Sequence, residues 1–430
     1  MSPGWQERNF MHEHRVTSSN PQVNAREGVE DRRAGGASWR DRAFLTFIRL
    51  VAGRLQAGRF CVTAPGGASA TISGLLPGKE VRVGFSTYGS LYQALSRGKL
   101  GFAEAYMDGS VDVSDLHSFF HFILDNEAMF TGAGRLLARA SRGDRSFHRW
   151  RDNTRSGSRR NIAAHYDLGN DFYRLWLDEG MTYSSGIHAS ASTSLEDAQA
   201  AKITRVMEAL ELRAGHRLLE IGCGWGSFIE AAARHGAVAT GITISTEQFG
   251  WARDRVERAM LASGADIRFI DYRDVAGSFD RIASIEMIEA VGEAHWPEYF
   301  GVVAERLAPG GVGVIQAITI PERFCASYHS SPDFIQRYIF PGGMLPTVEA
   351  MEASAKANGL AFEGLERFGA SYALTLHAWR ARFHAAWPML RQLGYDERFR
   401  RMWDYYLAYC AAGFEHGTID VGLYRVRKPV

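Results

Sequence analysis

The sequence predicts an α/β protein in which a doubly wound parallel sheet follows a smaller α+β domain. Three observations predict it. Beyond residue 200, short apolar runs alternate with helical stretches; a glycine-rich turn follows the first of those runs; and residues 42–130 carry their own pattern of helices and short strands. At 430 residues the chain exceeds one ordinary core, and roughly 150 residues per domain gives two or three units. Hydrophobic residues make up 46% and charged residues 23%, a globular balance that excludes a mostly disordered chain.

Residues 1–40 are rich in Arg, Glu, Asn, Gly and Ser without periodicity and read as a mobile tail. From Arg42 to Leu55 apolar side chains recur at helical spacing. After Phe60 short apolar runs broken by Pro65, Gly66, Gly67, Gly74 and Gly78 read as strands and turns, and residues 91–124 return to helical periods. Residues 42–130 therefore form the small α+β domain. Residues 131–160 hold Arg135, Arg139, Arg142, Arg145, Arg149, Arg151, Arg155, Arg159 and Arg160 against Asp144 and Asp152, which makes a basic linker. Attraction to an anionic leaflet, worth ~1 kcal/mol per basic group, is one reading of it. An ordinary solvated connector is the other.

Residues 161–430 carry the sheet. RLLEIG, AVATGITI, IRFID, RIASIEM and VGVIQAITI are its expected strands, joined by crossover helices, with a ligand site beyond their carboxyl ends. The balance of 49 Lys and Arg against 48 Asp and Glu is too even for wholesale nucleic-acid binding. Cys61, Cys223, Cys325 and Cys410 form neither a CxxC pair nor a disulfide framework, which fits a reducing cytoplasm, and no metal is expected. No apolar stretch reaches the ~18 residues that span a bilayer, and Met1 to Gly36 lacks a signal-peptide core, so a soluble or peripheral protein is expected.

In LLEIGCGWGSF, Gly222, Gly224 and Gly226 stand between a predicted strand and a predicted helix. Glycines there allow a sharp turn and close approach to a ligand, and the helix amides favour a carboxylate. A tight strand-to-helix turn is the plainer explanation. The second strand lacks the acidic residue at which a ribose is usually sought and runs into GITISTEQ, where Thr243, Ser245 and Gln248 offer polar contacts or Ser245 merely caps a helix. Asp271, Tyr272 and Arg273 after the third strand stand where an adenine would lie.

HYDLGNDFYRLWLDEGMTYSSGI, LLEIGCGWGSF, GITISTEQ, DYRD, EMIEAVG, YIFPGG and FGASYALTLHAW follow one another from about Asn161 onward. In these stretches the chain resembles the cyclopropane-fatty-acyl-phospholipid synthase family, which includes the mycolic-acid methyltransferases; LGFAEAYMDG extends a weaker resemblance into the N-terminal domain. The resemblance implies a seven-strand, Rossmann-like, S-adenosylmethionine-dependent methyltransferase sheet and a small lipid-engaging N-terminal domain. It implies one-carbon transfer, through a carbocation, to the cis double bond of unsaturated phospholipid acyl chains. The enzyme would be cytoplasmic and peripheral at the inner, anionic face of the membrane, with its oligomeric state unspecified.

By the same resemblance Tyr183, Ser184, Gly222, Gly224, Thr243, Gln248 and Tyr272 face S-adenosylmethionine. The family also holds a bicarbonate ion as general base through a Cys, a Glu, a His, a Tyr and a backbone amide. Glu289 and Tyr372 match that set, whereas Ser185 stands at the cysteine position, Gln316 at the histidine position, and Ala290 where His is common. Bicarbonate is therefore a candidate on an incomplete set.

An alkene is a poor nucleophile, so catalysis must hold methyl donor and double bond in line and exclude water. The positive charge left on the acyl chain is stabilised by aromatic faces at ~0.5 to 2 kcal/mol each. Tyr166, Phe172, Tyr183, Tyr338, Phe340 and Tyr372 are candidates, with core packing as the alternative role for each. A base must then remove a proton, from the added methyl group to close a ring or from a neighbouring carbon to leave a branch. Glu289 is the candidate, as anchor or as base, with Glu286 one turn earlier as the second; both also suit ordinary helix-start acids. Ser185 and Gln316 keep hydrogen-bonding capacity while removing a thiol and a titratable ring, so altered proton removal is expected. The alternatives are a methyl- or methylene-branched product, a small-molecule amine N-methyltransferase, and a non-catalytic lipid- or S-adenosylmethionine-binding protein.

Overall fold

The computed structural model describes residues 37–127, 153–154, 157–158, 160–162, 168–330 and 333–430. Most of the Arg-rich linker, nearly all of the N-terminal tail, and Tyr166 lie outside the described residues. The chain divides into two compact units, one holding the N-terminal domain and residues 397–412, the other holding residues up to 396 and 413–430.

In the first unit the helix Trp39–Ala52 starts where the Ser38 side chain accepts a hydrogen bond from the Asp41 amide at 3.1 Å. Strands β1 (Ala57–Thr63), β2 (Ser69–Ser73), β3 (Leu76–Phe85) and β4 (Val111–Val113) form a sheet of order β2-β1-β3-β4, in which β1 and β3 run parallel. The helices Tyr88–Ser96, Gly98–Met107 and Leu116–Asp125 complete it. The sequence reading carried helical periods through residues 91–124, but Val111 and Val113 are buried partners of Phe85 and Val83. Three residues are too few to set a period of two against flanking helices. The sequence reading also ran the second domain unbroken to residue 430, whereas residues 397–412 of the helix Glu397–Glu415 join the first unit. There Arg401 donates to the Val111 carbonyl at 2.7 Å and its guanidinium lies 4.0 Å over the Tyr106 ring.

The second unit is built on β5 (Arg217–Ile221), β6 (Val238–Thr243), β7 (Ala265–Phe269), β8 (Phe279–Ile285), β9 (Leu307–Thr319), β10 (Ala361–Arg367) and β11 (Asp420–Arg427). Their order is β10-β11-β9-β8-β5-β6-β7, with β5 to β9 parallel and β11 antiparallel to β9 and β10. The first five of these are the five apolar runs of the sequence. Both faces are covered: Leu219, Ile282 and Ile315 join one core with Trp296, Tyr299 and Phe300, while Leu218, Ala283 and Val314 join another with Phe228 and Ile229. Double burial is why these strands read as continuous apolar runs rather than alternating ones. The strand order reverses between β5 and β8, which puts a crevice beyond their carboxyl ends.

Candidate active site

β5 delivers the chain into the glycine turn at that crevice. The Gly222 and Cys223 amides both donate to the Ile242 carbonyl, at 3.0 and 2.9 Å, tying the turn to β6. Gly222 has φ +80°, and a Cβ there would stand 2.7 Å from Met287 Cγ, so only glycine fits. Gly224, at φ +53°, faces open space with nothing within 4 Å of a built Cβ, and this leaves room for a ligand against bare backbone. Gly226, at φ +85°, leads into the helix Ser227–Arg234. Below the turn Glu220 is buried, and its Oε2 has no hydrogen-bond partner among the described residues; burial pushes its carboxyl up to about 8.

β6 ends at Thr243, whose hydroxyl donates to Gln248 Oε1 at 3.0 Å. Ser245 caps the helix Thr246–Arg258 by accepting from the Gln248 amide, so the capping reading of Ser245 holds. Tyr272 lies 5.7 Å from the Tyr299 ring, under the Arg273 guanidinium. Asp271 and Arg273 form a buried ion pair at 2.8 Å and satisfy each other rather than standing open to an adenine. Tyr183 packs among Tyr173, Trp176 and Trp379 and stacks on Phe340 at 6.2 Å. The Ser184 hydroxyl accepts from Lys202 Nζ at 2.7 Å.

Ser185 is fixed by helices on both sides. The helix Leu195–Ala209 sends Gln199 to the Ser184 carbonyl at 2.8 Å, while Thr375 of the helix Gly369–Gln392 accepts from the Gly186 amide at 3.1 Å. Across from it, β8 ends at Ile285 and the next residue, Glu286, adopts φ +50° with its amide bonded to the Gln316 carbonyl of β9 at 2.8 Å. Glu286, expected one helical turn before Glu289, instead occupies a left-handed position directly after the strand.

Three of the four catalytic candidates converge on that residue. The Ser185 amide and Gln316 Nε2 each donate to Glu286 Oε1 at 2.8 Å, and the Tyr372 hydroxyl donates to Oε2 at 2.6 Å. The Ser185 hydroxyl turns away to the Gly186 carbonyl. Glu289, the fourth, accepts from the Ile318 amide at 2.6 Å, and its buried Oε2 has no partner among the described residues. Burial, then the Glu286 charge, pushes Glu289 up to about 8. Burial also raises Glu286, opposed by the bonds from Tyr372, Ser185 and Gln316 and by the Lys202 charge. Among the aromatic candidates, Tyr183 and Tyr372 both pack on Trp379 and Phe340 stacks on Tyr183, whereas Phe172 is fully buried among Tyr173, Trp176 and Phe383.

Sequence reasoning missed Lys202. It is 1% exposed, and burial pulls its ammonium down to about 8 against the charges of Glu286, Asp178 and Glu220. A signal existed: Leu195, Ala198, Gln199, Lys202, Val206 and Ala209 form the buried stripe of their helix, and two of those positions are polar.

A doubly wound seven-stranded sheet, with an open glycine turn at its switch point, defines this protein as a Rossmann-like S-adenosylmethionine-dependent methyltransferase. Residues 153–423 match the profile of the mycolic acid cyclopropane synthetase family, and the chain belongs to that family. It is 36% identical over 349 residues to the cyclopropane-fatty-acyl-phospholipid synthase of Escherichia coli K12, covering 78% of this chain and 84% of that one. It is 42% identical over 280 residues to the tuberculostearic acid methyltransferase UfaA1 of Mycobacterium tuberculosis H37Rv, a match that spans 63% of this chain and 66% of that relative. Among solved structures, the mycolic acid cyclopropane synthase CmaA1 complexed with SAH and CTAB superposes with a TM-score of 0.59 at 30% identity, covering 63% of this chain and 98% of that one.

Proposed function

We propose that this enzyme alkylates the cis double bond of unsaturated phospholipid acyl chains. S-adenosylmethionine supplies an electrophilic methyl group. The observation that carries the reading is a buried, hydrogen-bonded carboxylate at Glu286 beside an aromatic wall, at the switch point that also holds the open Gly224 turn. Such a site suits an apolar substrate that becomes cationic and must then lose a proton: Tyr183, Phe340 and Tyr372 offer π faces to the charge, and a carboxylate stands by. Gly222, Gly224, Gly226, Thr243, Gln248, Tyr272, Tyr183 and Ser184 are the proposed contacts of the methyl donor.

A methyl- or methylene-branched acyl chain is the second reading of the product. It is favoured by Ser185 and Gln316 in place of a thiol and an imidazole, and by the 42% identity to a tuberculostearic acid methyltransferase. Lipids from an expressing host fed deuterated methionine decide between them. Ring methylene resonances mean cyclopropane, vinylidene or methyl resonances mean a branch, and unaltered acyl chains refute both.

We also propose that the protein works at the surface of a membrane. No helix among the described residues is long and apolar enough to cross one. Support comes from Trp39, Leu50, Leu75, Leu76 and Tyr92, which expose large apolar side chains on the first unit, and from the Arg-rich linker. Sedimentation with anionic vesicles should be strong and salt-sensitive, and binding indifferent to both lipid charge and salt removes the linker from this proposal.

A further inference from the structure

The geometry points to Glu286 as a built-in general base whose carboxylate occupies the donor set at which the family resemblance implies a bicarbonate ion, so that this enzyme removes its proton without that ion. The inference rests on the olefin-alkylation reading. The residues present do not fit a free anion. Ser185, Gln316 and Tyr372 stand at three of the implied bicarbonate positions, and the Ser185 amide, Gln316 Nε2 and the Tyr372 hydroxyl are all spent on Glu286, at 2.8, 2.8 and 2.6 Å. The Ser185 hydroxyl is committed to the Gly186 carbonyl. A bicarbonate ion would have to displace the Glu286 carboxylate from its three donors and lie against that charge, which repels a second anion at the same place.

The backbone is arranged around the same contact. Glu286 holds φ +50°, a region that is strained for a non-glycine residue and persists where surrounding contacts impose it. Here the Glu286 amide bonds Gln316 O while Gln316 Nε2 bonds the Glu286 carboxylate, so backbone and side chain of one residue clasp another. Lys202, buried behind Ser184, supplies the positive charge that favours the ionised carboxylate.

The step balances. Once the methyl carbon has bonded to one olefinic carbon, leaving S-adenosylhomocysteine as a neutral thioether, the positive charge rests on the other carbon. Glu286 takes a proton from the added methyl group or from a neighbouring carbon. The C–H electron pair of the methyl group forms the third side of a ring, or that of a neighbouring chain carbon forms a double bond beside the branch; a methylene branch forms when hydride first moves from the methylated carbon to the cationic one and the methyl group then loses its proton. In each case the proton ends on the carboxyl before passing to solvent.

The test uses the full chain, freed of carbon dioxide under argon, with methyl transfer to unsaturated phospholipid measured with and without added bicarbonate. Line broadening of carbon-13-labelled bicarbonate reports anion binding independently of turnover. Glycine accepts φ +50° without strain, so Glu286→Gly opens the donor set while keeping the backbone. Wild-type turnover should change less than about twofold on bicarbonate removal, without line broadening, whereas Glu286→Gln should lose on the order of 10² to 10⁴-fold. Glu286→Gly should broaden the bicarbonate signal. Bicarbonate-dependent wild-type turnover, broadening by the wild type, or full activity in Glu286→Gln overturns the inference. Wild-type enzyme that transfers nothing to any olefin overturns the function reading instead, and the broadening pattern still decides who occupies the donors.

Discussion

Tyr372→Phe removes one hydroxyl and leaves the ring, which packs 4.4 Å from Phe414 and 6.1 Å from Trp379. What is lost is the 2.6 Å bond to Glu286 Oε2, an O–H to carboxylate contact that favours the ionised form. A hydrogen bond to a charged group contributes about 1.5–3 kcal/mol, so its loss leaves burial less opposed and pushes the Glu286 carboxyl further up. The base works deprotonated, so turnover rises with pH through its pKa, and the variant needs a higher pH to reach the same ionised fraction. At neutral pH the rate should fall on the order of 10 to 100-fold and recover on the alkaline side. Lys202, Glu289 and Gln316 face the same carboxylate and are untouched by the change. Initial rates of methyl transfer across pH, with thermal unfolding to confirm an intact fold, make the measurement. A rate loss without movement of the acidic limb, or no loss, would refute the reasoning.

Gly222→Ala sets a Cβ 2.7 Å from Met287 Cγ at φ +80°, so calorimetric titration should show S-adenosylhomocysteine binding weakened at least tenfold; unchanged affinity contradicts the glycine-turn site. Lys202→Met strips the buried carboxylates of their cation and should destabilise the second unit by on the order of 3 kcal/mol, seen as a lower denaturant midpoint. Glu289 has its folded pKa raised to about 8, so the folded state holds a proton that the unfolded state releases above the ordinary carboxylate range, and stability falls as pH rises from about 5 to 8. Glu289→Gln keeps the acceptor for Ile318 and should lessen that slope in thermal melts, leaving the part that Glu220, also raised to about 8, contributes; an unchanged slope assigns it elsewhere.

Much of this architecture is visible in the sequence because burial on both faces writes β5 to β9 as unbroken apolar runs. The glycine turn is equally visible, since its chemistry is local. β4 and the membership of residues 397–412 in the first unit are not, because both depend on partners distant in the chain. The candidate site divides along the same line. Ser185, Gln316, Tyr372 and Glu289 stand out from motif positions, with Glu286 as the second candidate acid, but the meeting of the first three on the Glu286 carboxylate does not. Glu286 lies 101, 30 and 86 positions from them, and only the strand order brings those segments together. Lys202 was hidden differently, as a polar residue on an apolar stripe that local composition reads as surface.

The central claim is methyl transfer to an olefin, and the most direct measurement follows S-adenosylmethionine carrying a deuterated methyl group with pure enzyme. Vesicles of mono-unsaturated phospholipid, the matching saturated phospholipid and a panel of simple amines are offered side by side. The account predicts label in the unsaturated acyl chain alone, one carbon heavier and lacking its original double bond. Label on an amine, or equal label in saturated and unsaturated lipid, would contradict it.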